Sequence, residues 1–557
     1  MIMQYYISTI SLVLIFNLSF GQSLQWVTSM GGNQPDAGWC IDIDSQKNVY
    51  TTGNFQASSD FDPGSGTFIL SSFGSSDVFV TKQDSLGNLV WAKQIGGIYE
   101  DIAEGISLDD NGNIYLAGYM YGQVDFDPGP GVQNIVPSNT PEAFVLKLDS
   151  NGNFVWVRNI GYHAQHIEVD QFGNVYVTGL FSGIADFDPG PGIYNLTSAG
   201  QLDGFIWKLD SNGNLKMAIS IGGLSTDWPE SIAVDSSENS YICGGFYGTA
   251  DFDPGPGVYN LISAGIGDVF IAKYDSIGNL IWAKSQSGLD SEGAFDLDVD
   301  KYGNVYATGR FIGTTNFDPL MSNFTMSTIG YEDIFITKFD SNGNFKWAKQ
   351  IGSPLSDGGF TISTGKNNDL YVSGGFSSTA DFDPGPGTYS LTSFGYQDIF
   401  ICNLDSAGNL IFANHYGGIN ADFGYYLLID DDSFYMTGIF ASTGNFNTPA
   451  SFNITSNGSF DIFVSKYSNQ PLGLTHLSGS RISSVFPNPT KQDVVVYLPN
   501  IVVDGDIIVS DAFGRNVTTA KIIKSSTIDV SIIGTPGIYY VTIISDKIYQ
   551  VFKLVKL

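Results

Sequence analysis

Asp-Phe-Asp-Pro-Gly, intact or degraded, returns seven times along this chain at a nearly fixed interval, and that interval constrains the fold more than any other feature. Full copies begin at Asp60, Asp125, Asp186, Asp251 and Asp381, and degraded copies at Asn316 and Asn445. Successive copies are 64 or 65 residues apart, except for a step of 61 from Asp125 to Asp186. A unit of this length, repeated this often, cannot bury its apolar residues alone and must pack against its neighbours.

Each unit reads as four short strands. In the second, strand a is expected near 103–108, b near 113–119, c near 143–148 and d near 153–158. The a–b and c–d links are Asp-rich Asn-Gly-Asn turns, where Gly and Asn tolerate positive φ and Asx side chains bond the backbone. β-Branched and aromatic residues fill the runs between them, and no amphipathic helical period appears. Seven units of four antiparallel strands describe an all-β, seven-bladed β-propeller over residues 22–469. Leu24-Gln25-Trp26-Val27-Thr28 repeats the strand-d pattern of Leu89-Val-Trp-Ala-Lys93, while the last unit stops after strand c at Asp461–Lys466. The N-terminal strand is therefore expected to complete the last blade and leave no open edge.

The runs Asp77-Val-Phe-Val-Thr-Lys82, Asp84-Ser-Leu-Gly-Asn-Leu-Val-Trp91, Gly96-Gly97 and Gly173-Asn-Val-Tyr-Val-Thr-Gly179, with their counterparts, resemble the bacterial propeller repeat family called SBBP. The resemblance covers about residues 24–469. It implies the propeller fold and little about function, because the family is defined by architecture.

The two ends read as export signals. Residues 1–21 hold an apolar run, Ile7 to Phe20, followed by Ser19 and Gly21 at the −3 and −1 positions of a cleavage site before Gln22. The run is too short for a comfortable membrane span, and no Lys or Arg precedes it. Residues 470–481 form a polar linker, and 482–557 read as a small Ig-like β-sandwich. Within that tail, Pro487-Asn488-Pro489, the Asp511-Ala-Phe-Gly514-Arg515 turn, Gly537-Ile-Tyr539 and Lys553-Leu-Val-Lys556 resemble the type A C-terminal sorting domain of the type IX secretion system. That resemblance implies delivery by the type IX machinery to the outer surface of a Gram-negative cell, followed by anchoring or release.

The formal charge is −32, which argues against nucleic acid and anionic membrane surfaces as partners. Only 8 of the 56 acidic residues are Glu; the rest are Asp, a turn former and a Ca²⁺ ligand. Cys40, Cys243 and Cys402 lie far apart at non-equivalent positions and are expected as isolated half-buried thiols.

Propeller topology puts the a–b and c–d hairpins on one face and the b–c and d–a links on the other. The second face carries every Asp-Phe-Asp-Pro-Gly excursion, the d–a link acids Asp36, Asp101, Asp227, Glu292, Asp357 and Asp422, and an acid opening every strand c. Two readings of the excursion compete. In one, Asp60 and Asp62, Asp125 and Asp127, Asp186 and Asp188, Asp251 and Asp253, and Asp381 and Asp383 bind calcium with a further carboxylate of that face. In the other, these Asp cap the turn, Phe61 and its counterparts plug the blade interface, and Pro-Gly stiffens the loop. The third Asp of a full calcium loop is absent, which favours the second. The recurring Trp26, Trp91, Trp156, Trp282 and Trp347 are expected to pack between blades or on the rim.

A unique site should break the repeat. The shortened third unit contains His163 and His166, two of only four His, and the fifth unit holds Arg310. No Gly-x-Ser-x-Gly, His-Glu-x-x-His or phosphate loop is present. The expectation is a secreted, non-catalytic propeller that binds glycan or protein ligands, with no certain cofactor. The alternatives are a propeller-type polysaccharide lyase or glycosidase, which needs Tyr/His or paired carboxylates at the pore, or a structural surface protein.

Overall fold

The computed structural model describes residues 23–468, apart from 139–140, 319–322, 431–432 and 448–451, and five strands between 484 and 556. The expected cleavage site at Gly21 and Gln22, the linker and the sorting-motif residues Pro487, Asn488, Pro489 and Gly514 lie outside the described residues. Contacts divide the chain into two compact units, Leu24–Ser468 and one containing Asn469–Leu557.

The first unit is an all-β, seven-bladed propeller. In blade 2 the strands are a, Asp101–Leu108; b, Ile114–Met120; c, Glu142–Leu148; and d, Phe154–Ile160, hydrogen-bonded in the order d-c-b-a. The Asn-Gly-Asn turns form as their chemistry requires. Asp109 Oδ1 accepts from the Asn111 and Asn113 N–H groups, and Gly112 takes φ of 75°. Every residue of strand c in this blade is buried, because both faces of the sheet meet neighbouring blades. The apolar cores accordingly lie between blades: Tyr115 and Ala117 of blade 2 pack in one cluster with Val175, Val177 and Phe205 of blade 3. Four of the recurrent Trp donate from Nε1 across these interfaces, Trp26 to Ser85 O at 3.0 Å and Trp156 to Ser211 O at 3.2 Å among them. The three Cys are free and fully buried, deeper than the sequence suggested.

The last blade orders its strands Phe423–Asp430, Ser433–Phe440, Asp461–Ser468 and Ser23–Gly32, so the N-terminal strand closes the ring as expected. Val27 and Met30 of that strand are buried in the adjoining cores.

The excursions depart from a simple loop. In blade 4, Thr249–Asp251 and Asn260–Ile262 form a short hairpin. That hairpin pairs with the end of strand d of blade 3, Gly222 opposite Asp251 and Gly223 opposite Ala250. The same clasp joins Gly31 to Asp60, Gly96 to Asp125 and Gly417 to Asn445. Single bridges, Ser287 to Asn316 and Gly352 to Asp381, do the same for blades 5 and 6, while the hairpin of blade 3, Ile184–Asp186 with Asn195–Thr197, pairs only within itself among the described residues.

In the C-terminal unit, Ser484–Phe486, Asp493–Asp511, Asn516–Ser531, Gly537–Ser545 and Ile548–Lys556 are joined by antiparallel ladders into one five-stranded sheet. Gly537 and Tyr539 pair with Lys556 and Leu554 on the last strand, which also carries Lys553.

Candidate functional site

Strand a is the innermost strand of a propeller blade, and here every strand a carries a β-bulge at the same repeat position. The register slips at Trp39, Glu104, Gln165, Glu230, Phe295, Phe360 and Tyr425 in blades 1 to 7. A bulge re-aims a side chain, and these seven meet around the axis near the face that carries the long loops. Trp39 stacks on Tyr425 with centroids 4.5 Å apart; Tyr425 meets Phe360 at 6.0 Å, and Phe360 meets Phe295 at 5.8 Å. Blades 5, 6, 7 and 1 therefore present an aromatic arc.

Blades 2, 3 and 4 present a polar arc. The Gln165 amide oxygen accepts from Trp228 Nε1 at 2.5 Å, and in that orientation its nitrogen donates to Glu104 Oε2 and to His163 Nδ1, the latter at 2.8 Å. His163 stacks on Tyr119 with centroids 3.8 Å apart. Arg310 spans one boundary between the arcs, its guanidinium 5.5 Å from the Phe295 centroid and its charge felt at Glu230. Beneath the ring, His166 Nδ1 contacts Ile232 O at 3.1 Å and Tyr426 Oη reaches His166 Nε2 at 3.4 Å, linking blade 7 to blade 3 and flooring the mouth.

The electrostatics follow from burial. Desolvation, reinforced by the Glu230 charge, pushes the Glu104 carboxyl well above the usual range. Desolvation lifts Glu230 to about 7, against the Trp228 hydrogen bond and the Arg310 charge. Both His are held down at about 4 by burial, so they are neutral at pH 7. The mouth is thus a half-aromatic, half-polar cup with two carboxyl groups whose charged forms burial disfavours.

The sequence pointed to His163 and His166 as the break in symmetry, and both line this axis. It missed Glu104 and Glu230. A signal was available: Glu is scarce in this chain, and two of the eight occupy one repeat position whose other members are Gln, Trp, Tyr and Phe.

The excursion Asp are placed otherwise. Asp251 Oδ1 accepts from the N–H groups of Asp253 at 3.0 Å and Tyr259 at 2.8 Å, and Asp253 Oδ1 accepts from Gly255 N–H at 2.8 Å. Asp60, Asp125, Asp186 and Asp381 repeat the first pattern, and Asp62, Asp127, Asp188 and Asp383 the second. Phe252 is buried between Phe246 and Phe270. Among the described residues, no group of three or more His, Cys, Asp or Glu is arranged to hold a metal ion. The geometry is that of a capped turn. Asp125 and Asp127 also line an open cleft between blades 1 and 2 with Phe73, Lys93, Gln94 and Ile98. The expected outcome is that Asp251→Asn with Asp253→Asn lowers the melting temperature by the same amount in calcium and in chelator. Each lost cap is worth about 1 kcal/mol. A calcium-dependent difference in a thermal melt would contradict this.

Two segments of the chain match known family models. Residues 484–557 match the secretion system C-terminal sorting domain, and residues 90–119 match the SBBP beta-propeller repeat. The chain carries SBBP propeller repeats and a type IX sorting domain. The sorting domain indicates secretion. Among curated relatives, an uncharacterized WD repeat-containing protein, L264, of Acanthamoeba polyphaga mimivirus is 21% identical over 85% of this chain and 40% of its own length. The regulatory protein FlaEY of Caulobacter vibrioides is 29% identical over 26% of this chain and 15% of its own length. The chain thus spans less than half of either relative. A putative 6-phosphogluconolactonase from Bacteroides fragilis aligns over 70% of this chain and 93% of its own with 12% identity and a TM-score of 0.35. No helix among the described residues is long and apolar enough to cross a membrane.

Proposed function

We infer that this is a secreted, non-catalytic binding protein whose ligand is a glycan held in the axial mouth, displayed at or released from the outer surface of a Gram-negative cell. One observation carries the reading: a single repeat position divides into an aromatic arc, Trp39, Tyr425, Phe360 and Phe295, and a polar arc, Glu104, Gln165 and Glu230. Aromatic faces accept the C–H face of a sugar ring, and carboxylates and amides bond its hydroxyls. Ile98, Leu224, Leu289 and Ile419, exposed on the d–a links of the same face, offer a second apolar fringe for a longer or more complex ligand.

The paired carboxyls favour one alternative, glycoside hydrolysis, with Glu104 and Glu230 as acid and base. Glycan-array binding of the secreted propeller, followed by product analysis on any polysaccharide retained, separates the two. Trp39→Ala and Tyr425→Ala are expected to weaken a bound glycan about tenfold each, the worth of one aromatic contact. Glu230→Gln is expected to change affinity without a loss of turnover, because no turnover is expected. Cleavage by the wild type that Glu230→Gln abolishes would establish the enzyme instead. Binding that ignores all three substitutions would move the ligand away from the axis.

A further inference from the structure

Six of the seven blade junctions bury two acids side by side. The pairs are Asp461 with Asp36, Asp77 with Asp101, Asp203 with Asp227, Asp268 with Glu292, Asp333 with Asp357 and Asp398 with Asp422, every member at most 4% exposed. The backbone sets them in register. The N–H of each d–a link acid donates to the carbonyl just before the strand-c acid, as from Asp101 to Ser76 O and from Asp227 to Leu202 O, both at 2.9 Å. One oxygen of each strand-c acid accepts from the N–H four residues earlier, at 2.7 Å from Ala199 for Asp203. One oxygen of the link acid accepts from the end of strand d, at 2.6 Å from Gly223 for Asp227. The second oxygen is left without a partner at Asp77, Asp101, Asp203, Asp333, Asp398 and Asp461, and on Glu292.

In two of the pairs both carboxyls converge on one glycine. A Cβ on Gly222, where φ is +155°, would lie 2.7 Å from Asp203 Cγ and 2.9 Å from Asp227 Oδ2. On Gly417, where φ is +146°, it would lie 2.7 Å from Asp422 Oδ2 and 3.1 Å from Asp398 Cγ. The seventh junction is an internal control. The shortened link of blade 3 has no acid, the strand-c residue is Glu142, and both Glu142 oxygens are engaged, by Ser138 N–H at 2.8 Å and Ser138 Oγ at 2.9 Å. Where the second acid is gone, the unpartnered oxygen is gone too.

We propose that each of the six pairs binds one positive charge, a proton shared between its carboxyl groups, and that the junction between blades 2 and 3 binds none. Two buried carboxylates cannot both stay ionised, and a proton held between them gives the unpartnered oxygen of each pair, and both such oxygens of the Asp77–Asp101 pair, a hydrogen-bond partner. A metal ion needs six or so oxygens, and no pair among the described residues is joined by a third His, Cys, Asp or Glu in an arrangement that could hold a metal ion. The surroundings agree. Asp101 faces Asp77 and Glu100; Asp227 faces Asp203; Asp357 faces Asp333; Glu292 faces Asp268; and Asp461 faces Asp36. Asp422 faces Asp398, which His415 contacts at 3.1 Å, and neutral side chains donate elsewhere: Gln94 to Asp77, Gln350 to Asp333, Ser59 to Asp36 and Thr315 to Glu292. No Lys or Arg ion pair among the described residues falls on these acids. Burial lifts Asp36 and Asp357 to about 6, Asp227, Asp422 and Asp461 to about 7, and Asp101 and Glu292 to about 8.

The sign follows. The native state holds protons that the unfolded chain has released, so the stabilisation is complete below about pH 4 and is lost as pH rises to about 8. In chelator, the melting temperature of the secreted protein is expected to fall by several degrees from pH 5 to 8.5, a window above the titration of ordinary carboxylates. Asp42, Glu168, Glu230, Asp296 and Asp298 on the inner strands are lifted by burial into the same window, to between about 6 and about 8, so single variants isolate the pairs. Asp203→Asn supplies a permanent donor to Asp227. It is expected to melt no lower than wild type at pH 8.5 and to remove about one sixth of the pairs' share of the fall, if the six sites add. Glu142→Gln is expected to leave the fall unchanged. Infrared spectra at pH 6 are expected to show protonated-carboxyl C=O stretch that Asp203→Asn diminishes. An unchanged fall in Asp203→Asn, absence of that stretch, or calcium restoring the melting temperature at pH 8.5 would each overturn the shared proton.

Discussion

A chain lacking Gln22–Gly32 is expected to lose the closed ring and, with it, cooperative unfolding of the propeller. That segment is the outer strand of the last blade, so its removal bares Asp461–Ser468 as a long apolar edge. It also withdraws Val27, which packs with Phe434, Phe463 and Tyr467, and Met30, which packs with Ile462 and Val464. Burial of two such side chains is worth about 4 kcal/mol before the ladder hydrogen bonds are considered. The clasp of the first excursion, Gly31 opposite Asp60, goes with them. Calorimetry should show a broadened transition well below that of the full chain, and light scattering should show association through the bared edge. A sharp, unshifted transition and a monomeric profile would mean that another segment closes the ring.

Phe252→Ala is expected to destabilise the propeller by about 3–5 kcal/mol, the cost of deleting a fully buried aromatic side chain in a well-packed site. Phe252 lies edge-on to Phe246 at 5.8 Å and tilted against Phe270 at 5.0 Å, in the core between blades 3 and 4. Its carbonyl accepts from the buried Tyr274 Oη at 3.0 Å, so the ring and the turn are held together. The same substitution at the exposed Phe73 should cost almost nothing, which separates a cavity effect from a general loss of aromatic surface. Equal effects of the two substitutions in chemical denaturation would remove the excursion from its place as the plug of the blade interface.

The repeat made the architecture legible before any coordinates. Seven returns of Asp-Phe-Asp-Pro-Gly, turn chemistry at Asp109–Asn113 and a displaced strand-d motif at Leu24–Thr28 suffice for blade number, strand order and closure. The reading of Asp60, Asp62 and their counterparts as turn caps also follows from local rules, because the partners are backbone N–H groups at most eight residues away. His163 and His166 were visible as a break in the pattern, though their meeting with Tyr119 and Tyr426 was not.

Glu104 and Glu230 were not picked out, for a physical reason. Each stands in an unremarkable strand, 126 residues from the other, and only a bulge at one shared position turns both towards the axis. Local sequence determines that a strand forms, that a turn is capped and that a Phe is buried. It therefore determined the propeller, its closure and the export tail of this protein. Which residues of seven different blades face one another is decided by the ring itself. Stacking of consecutive blades brings Gln165 between Glu104 and Trp228 and Asp203 beside Asp227, and only closing the ring brings Trp39 onto Tyr425, because those contacts depend on rotation about an axis that no single repeat contains.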